Sequence, residues 1–169
     1  MLLINKAIAY GNETKFYISN CPVWCSCDVE IANRNQELKD TIIVECINLQ
    51  DIINEYGIPY YLRIDIERND YIAVDMLKDV KPKYISCESE CVGVNNKTDK
   101  DITRVLNSLI NKGYTKFKLV SGSSGIDIVM NRLFDNNDWQ NENDFREMLI
   151  SKSKPIHDYT FWNDILATY

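Results

Sequence analysis

Tyr60-Tyr61-Leu62-Arg63-Ile64-Asp65-Ile66-Glu67 decides how this sequence folds. Pro59 opens the run, every position but Arg63 is apolar until the end, and it closes on two acids. A short apolar run bounded by turn residues reads as a buried strand. Before it, Thr41–Ile47 is β-branched and reads as another strand. Asn48 is placed to cap a helix running to Tyr56, and Gly57 stands where a C′ glycine belongs. After it, Ile72, Ala73, Met76, Leu77 and Val80 fall on one face of a helix over 70–80, which Lys81-Pro82 stops. Tyr84-Ile85-Ser86-Cys87 is a further strand ending at Glu88. Thr98 can cap a third helix, with Ile102, Val105, Leu106, Leu109 and Ile110 on its buried face. Gly113 closes that helix before a strand over Tyr114–Val120.

Strand–helix–strand–helix–strand with nearly continuous apolar strands predicts an α/β fold: a mostly parallel sheet with helices on both faces. In such sheets ligands bind along the edge formed by the strand C-termini. Outside the central block, Leu2–Ala9 and Lys15–Ser19 read as short strands around the turn Gly11-Asn12-Glu13, and 20–40 is polar and irregular. Asn136–Asp144 reads as a polar loop and Asp144–Ile150 as a helix. Phe161–Leu166 reads as a short helix or an edge strand. With no repeat or linker, residues 1–169 form a single domain.

Composition sets the class. The chain has 169 residues, 45% hydrophobic and 26% charged, which suits an ordinary globular protein with a core of its own. The formal net charge of -6, with no Lys/Arg cluster, argues against a nucleic-acid partner, because phosphate backbones need concentrated positive charge. The apolar start Met1–Ile4 is interrupted by Asn5 and Lys6, too short for a signal core or a membrane span. No membrane association and a cytoplasmic location are therefore expected. Cys21, Cys25 and Cys27 (C-x3-C-x-C), and Cys87 with Cys91 (C-x3-C), lack the CxxC spacing typical of zinc sites. Reduced, mostly buried thiols are expected.

The candidate chemistry gathers at strand ends. Asp65 and Glu67 share one side of their strand by period-two alternation, and Glu88 ends the next strand. Carboxylates at a ligand edge suit a general base, a divalent-metal site, or hydrogen bonding to a ligand amine or hydroxyl. Arg63 shares a side with Asp65 and can pair with it. Ser121-Gly122-Ser123-Ser124-Gly125 follows a strand but lacks the Lys-Ser/Thr ending of a phosphate-binding P-loop, so a lid or a plain connector is the expectation. His157, the one histidine, stands beside Asp158 without a nucleophile in any recognisable pattern. Trp24, Trp139 and Trp162 read as core aromatics or pocket walls.

The central block resembles FkbM-family methyltransferases. The similar stretches are Thr41–Ile53, Gly57–Glu67 and Pro82–Glu90, then Gly113–Val120 and Phe161–Ile165. Leu62-Arg63-Ile64-Asp65-Ile66-Glu67-Arg68 occupies the family's Lys-Ile-Asp-Val/Ile-Glu-Gly motif, with Arg63 for the lysine and Arg68 for the glycine. The resemblance implies a partial Rossmann-like class I methyltransferase fold and S-adenosylmethionine-dependent O-methylation of a small molecule or sugar. Asp65 is then the base, with Glu67 and Arg63 beside it. Asp65 and Glu88 face the cofactor, and no metal is assigned. The chain begins at what resembles the family's third strand, so the Gly-rich turn and ribose-binding acid of the family are not found in it. Weak S-adenosylmethionine binding is the consequence, together with an open sheet edge for a partner chain or a second copy. Two other readings use the same residues: a non-catalytic partner-binding domain, and a divalent-metal hydrolase built on Asp65, Glu67 and Glu88.

Overall fold

A computed structural model of the chain describes residues 2–78, 81–90, 98–121, 137–152 and 162–169. In chain order the strands are β1 (Ala7–Ile8), β2 (Glu13–Ser19), β3 (Leu38–Ile47), β4 (Tyr61–Ile64), β5 (Tyr84–Glu90), β6 (Lys116–Ser121) and β7 (Trp162–Thr168). The helices are α1 (Val29–Ala32), α2 (Leu49–Tyr56), α3 (Asp70–Met76), α4 (Thr98–Asn111) and α5 (Glu142–Lys152). Local signals place several of them. The Asn48 side chain accepts a hydrogen bond from the Gln50 amide, 2.8 Å, at the start of α2. Gly57 ends α2 with φ 91°, and Gly113 follows α4 with φ 78°. The positive φ favours glycine at Gly113; a Cβ there would stand 2.8 Å from Lys81 Nζ, the flexible end of a side chain that can give way.

The strands form two mixed sheets, which corrects the expectation of one mostly parallel, Rossmann-like sheet. The first has the order β1-β3-β2, and the second β4-β5-β7-β6. β4 and β5 are adjacent and parallel, with α3 crossing between them, as the central sequence predicts. The departure comes from β7. The C-terminal segment, which reads as a helix or an edge strand, lies inside the sheet, antiparallel to both β5 and β6. It separates those two co-directional strands. Its polar start, Trp162-Asn163-Asp164, hides the strand pattern, yet Asp164 to Thr168 are all buried.

β3 belongs to the smaller sheet, where its β-branched run pairs antiparallel with β2 from Glu13↔Glu45 to Ser19↔Leu38. Ile42 and Ile43 stay exposed. β-branched residues favour the extended backbone whether or not they are buried, so propensity was no guide to which sheet the strand enters.

Helices on both faces are not found among the described residues. From β4 to β5, and from β5 to β6, the chain advances across the sheet in one direction. Crossovers of a single hand then put both connecting helices on the same face. Period-two alternation turns Leu62, Ile64, Ile85, Cys87, Phe117, Ile165 and Ala167 to that face. There they form one core with Leu49 and Ile53 of α2, Ala73, Val74 and Met76 of α3, the apolar side of α4, and Phe145 of α5. The opposite face carries Tyr61, Arg63, Ser86, Glu88, Leu166, Asp164 and Val120, a mixed polar surface whose apolar part packs on Trp139. Among the described residues no helix is long and apolar enough to cross a membrane.

Candidate functional site

β4, β5 and β6 run in the same direction, so their C-terminal ends share one edge, where β7 begins. Asp65 and Glu67 follow β4, Glu88 lies near the end of β5, Asp164 near the start of β7, and Asp70 opens α3. The expected gathering of Asp65, Glu67 and Glu88 is present: one carboxylate oxygen from each lies within 4.8 Å of the others. The route to it differs from the expectation. β4 ends at Ile64, so alternation does not carry Glu67 to the cluster. A tight turn does, with Glu67 at φ 52° and Arg68 at φ 76°. Left-handed backbone at two consecutive non-glycine residues is costly and persists only where the surroundings hold it. Here the hold is visible. Ser26 Oγ donates to the Glu67 carbonyl at 3.1 Å. The Arg68 guanidinium reaches Glu30 at 3.1 Å and Asp28 at 3.6 Å, both at the start of α1.

Burial and crowding favour protons on Glu67 and Glu88. Glu88 is pushed up to about 9 by burial, by the hydrogen bond it shares with Asp65, and by the charges of Asp65, Glu67 and Asp70. Glu67 is raised by burial and by Asp65, with Arg34 opposing. Arg63 donates to Asp65 at 3.1 Å and stands 3.9 Å from Asp164, so the predicted Arg63–Asp65 pair exists and extends to a third residue.

Two acids that sequence reasoning missed stand behind the triad. Asp70 and Asp164 are each 1% exposed, and none of their four carboxylate oxygens has a hydrogen-bond partner. Burial raises Asp70 to about 7, and Asp65 adds to it. The backbone amides of Ile66, Asp70 and Glu88 lie towards it and oppose the shift, though none makes a well-formed bond. Asp164 is raised by burial; Arg63 opposes, and Asp65 adds. Asp164 is the direct cross-strand neighbour of Glu88, so both side chains leave the same face. Its one sequence signal was an acid inside an apolar run. Arg34, also missed, lies in the turn after α1; burial lowers its pKa, and the charges of Glu67 and Glu88 oppose that shift.

The remaining candidates separate. The loop residues Gly122–Gly125, with Cys91, His157 and Asp158, lie outside the described residues. Trp139 stands under Lys118, whose Nζ is 4.4 Å from the ring centroid, and 6.3 Å from the Tyr84 ring. Cys21, Cys25, Cys27 and Cys46 are half-buried free thiols, and Cys87 is fully buried in the core.

Compared with known proteins, the chain matches no family model, no curated protein and no solved structure.

Proposed function

We propose that this chain is a divalent-cation-dependent hydrolase whose ion is held by Asp65, Glu67 and Glu88. The carrying observation is the 4.8 Å limit on the separation of their oxygens. Two ligands of one ion, each bound at about 2.0–2.5 Å, can be no more than about 5 Å apart. An all-carboxylate set selects a hard cation, magnesium or manganese, over zinc. Asp70 and Asp164 support the reading, because buried carboxylates without hydrogen bonds are costly unless something positive compensates them. A cation there would lower the pKa of a bound water and supply a nucleophile. Asp65 is exposed at the outer side of the cluster, which leaves water and substrate a way in.

Methyl transfer of the FkbM kind is the second reading, and one observation favours it. Arg68, in the place of the family motif's glycine, has a glycine-like φ of 76°. A glycine, as the family motif has it, would meet this backbone without strain.

One experiment separates them: thermal unfolding with magnesium or manganese, at matched ionic strength, beside calorimetry with S-adenosylmethionine. A ligand near 100 times its Kd adds ~2.7 kcal/mol, or about 5–10 °C for a chain of this size. We expect that rise with the metals, its loss in Asp65→Asn and Glu88→Gln, and only millimolar or weaker S-adenosylmethionine binding. No metal-specific rise together with micromolar S-adenosylmethionine binding would replace the first reading by the second.

A further inference from the structure

Of the three proposed ligands, Glu67 is the one that its own strand does not place. β4 ends at Ile64, and Glu67 meets Asp65 and Glu88 through a turn in which it and Arg68 both have left-handed backbone, φ 52° and 76°. Left to itself, such a turn relaxes to ordinary backbone and carries the side chain elsewhere. What holds it comes from the N-terminal half of the chain, at two points. Ser26 Oγ donates to the Glu67 carbonyl at 3.1 Å and accepts from the Asp28 amide at 2.9 Å, so both roles of the hydroxyl are used. Ser26 is itself fixed: it is 2% exposed, and its backbone pairs in both directions with Tyr17 of β2, at 2.8 and 3.1 Å. The second point is the Arg68 guanidinium, which pairs with Glu30 and Asp28. Asp28 in turn caps α1 through the Glu30 amide at 2.8 Å.

Resting on the cation reading of this site, we infer that Ser26 and Arg68 are positioning residues for Glu67, so that cation binding at the strand ends is coupled to docking of β2 and α1 on the turn after β4. Neither residue touches the ion. Each sets the backbone from which Glu67 reaches it. Groups that hold a metal ligand from behind commonly govern affinity about 10–100-fold. The reason is that a ligand which must be ordered on binding gives back part of its bond in lost freedom. Such coupling is reciprocal: if docking favours the ion, the ion favours docking to the same degree. A contact serving only to join two parts of the fold has no need of the carbonyl of a ligand residue, nor of left-handed backbone there.

The test is magnesium titration by calorimetry on the full chain, with unfolding in chelator measured for each variant. Ser26→Ala removes the bond to Glu67 and should weaken magnesium binding about tenfold or more. Ser26→Thr keeps the hydroxyl and should restore binding towards wild type. Arg68→Gly frees the turn from α1 without a backbone penalty. It should weaken binding several-fold while its unfolding in chelator stays near that of wild type, a pattern that a purely structural role does not give. Amide exchange supplies the converse. Magnesium should slow exchange at Tyr17 and Ser26 more than at Phe117 and Gln140, which pair in the same way at β6, the strand of the larger sheet farthest from β4. Unchanged magnesium affinity in folded Ser26→Ala or in Arg68→Gly would overturn the coupling and leave the cation site standing, as would equal slowing at the two pairs. If Ser26→Ala fails to fold, Arg68→Gly decides alone. Absence of magnesium binding by the wild type would remove the proposed function itself, and this inference with it.

Discussion

At the scale of single residues, Asp70 carries the clearest energetic consequence. Its carboxylate is buried, has no well-formed hydrogen bond, and is pushed up to about 7. An acid with a folded-state pKa above its unfolded value holds its proton more tightly when folded, so its ionisation opposes folding at neutral pH. Asp70→Asn removes that ionisation and keeps the shape. We expect it to stabilise the cation-free protein by roughly 1–3 kcal/mol at pH 8, and to have little effect near pH 4, where the aspartate is already protonated. Urea unfolding at the two pH values measures this; a loss of stability at pH 8 would show that the carboxylate is needed ionised. Nothing in the sequence marked Asp70 as different from any acid at a helix start. Asp65, Glu67 and Glu88 were legible because each ends an apolar run. Asp164 and Arg34 come from distant parts of the chain, so only tertiary folding brings them near, and the acid inside the run of β7 is the sole hint.

At the scale of elements, the turn between β4 and α3 joins the larger sheet to the N-terminal half of the chain. The left-handed backbone at Arg68 favours glycine, whereas its ion pairs with Glu30 and Asp28 favour arginine. Relief of the left-handed conformation is worth about 1 kcal/mol, and a partly exposed ion pair about 0–1 kcal/mol. Arg68→Gly should therefore change stability by less than about 1 kcal/mol. Arg68→Val, with a branched Cβ and no charge, should cost roughly 2 kcal/mol or more. Chemical denaturation of the two variants decides it, and equal losses would mean that the ion pairs, not the backbone, set the turn. Local signals served well at this scale. Asn48, Gly57 and Gly113 bound their helices as the sequence predicts, and α4 buries Ile102, Val105, Leu106 and Leu109. Which strands pair was less legible. A β-branched run announces an extended backbone without naming its neighbours, so the sequence leaves open which sheet β3 enters. The polar start of β7 concealed a strand that two neighbours cover.

For the molecule as a whole, the acids at the strand ends tie stability to pH. Four of them, Glu67, Asp70, Glu88 and Asp164, are shifted upward with burial as the first cause, Asp70 to about 7 and Glu88 to about 9. Each holds its proton more tightly in the folded chain than in the unfolded one, so the folded state binds more protons at any pH between those values. Stability must then fall as pH rises from the ordinary carboxylate range near 4.5, and keep falling until Glu88 has ionised. A net charge of -6 acts in the same direction, since ionising more acids adds to the self-repulsion of an acidic chain. Arg34 and Arg63 offset part of this by favouring the ionised forms, which is why the loss should be ~3 kcal/mol between pH 5 and pH 9 rather than the full sum of the separate shifts. Melting curves in chelator should accordingly drop by about 6–12 °C over that range. Magnesium should recover much of the loss at the alkaline end, because the ion compensates the charges whose repulsion causes it. A melting temperature that stays level or rises from pH 5 to pH 9 in chelator would mean that these acids are solvated rather than crowded. Burial would then no longer support a cation site at this edge.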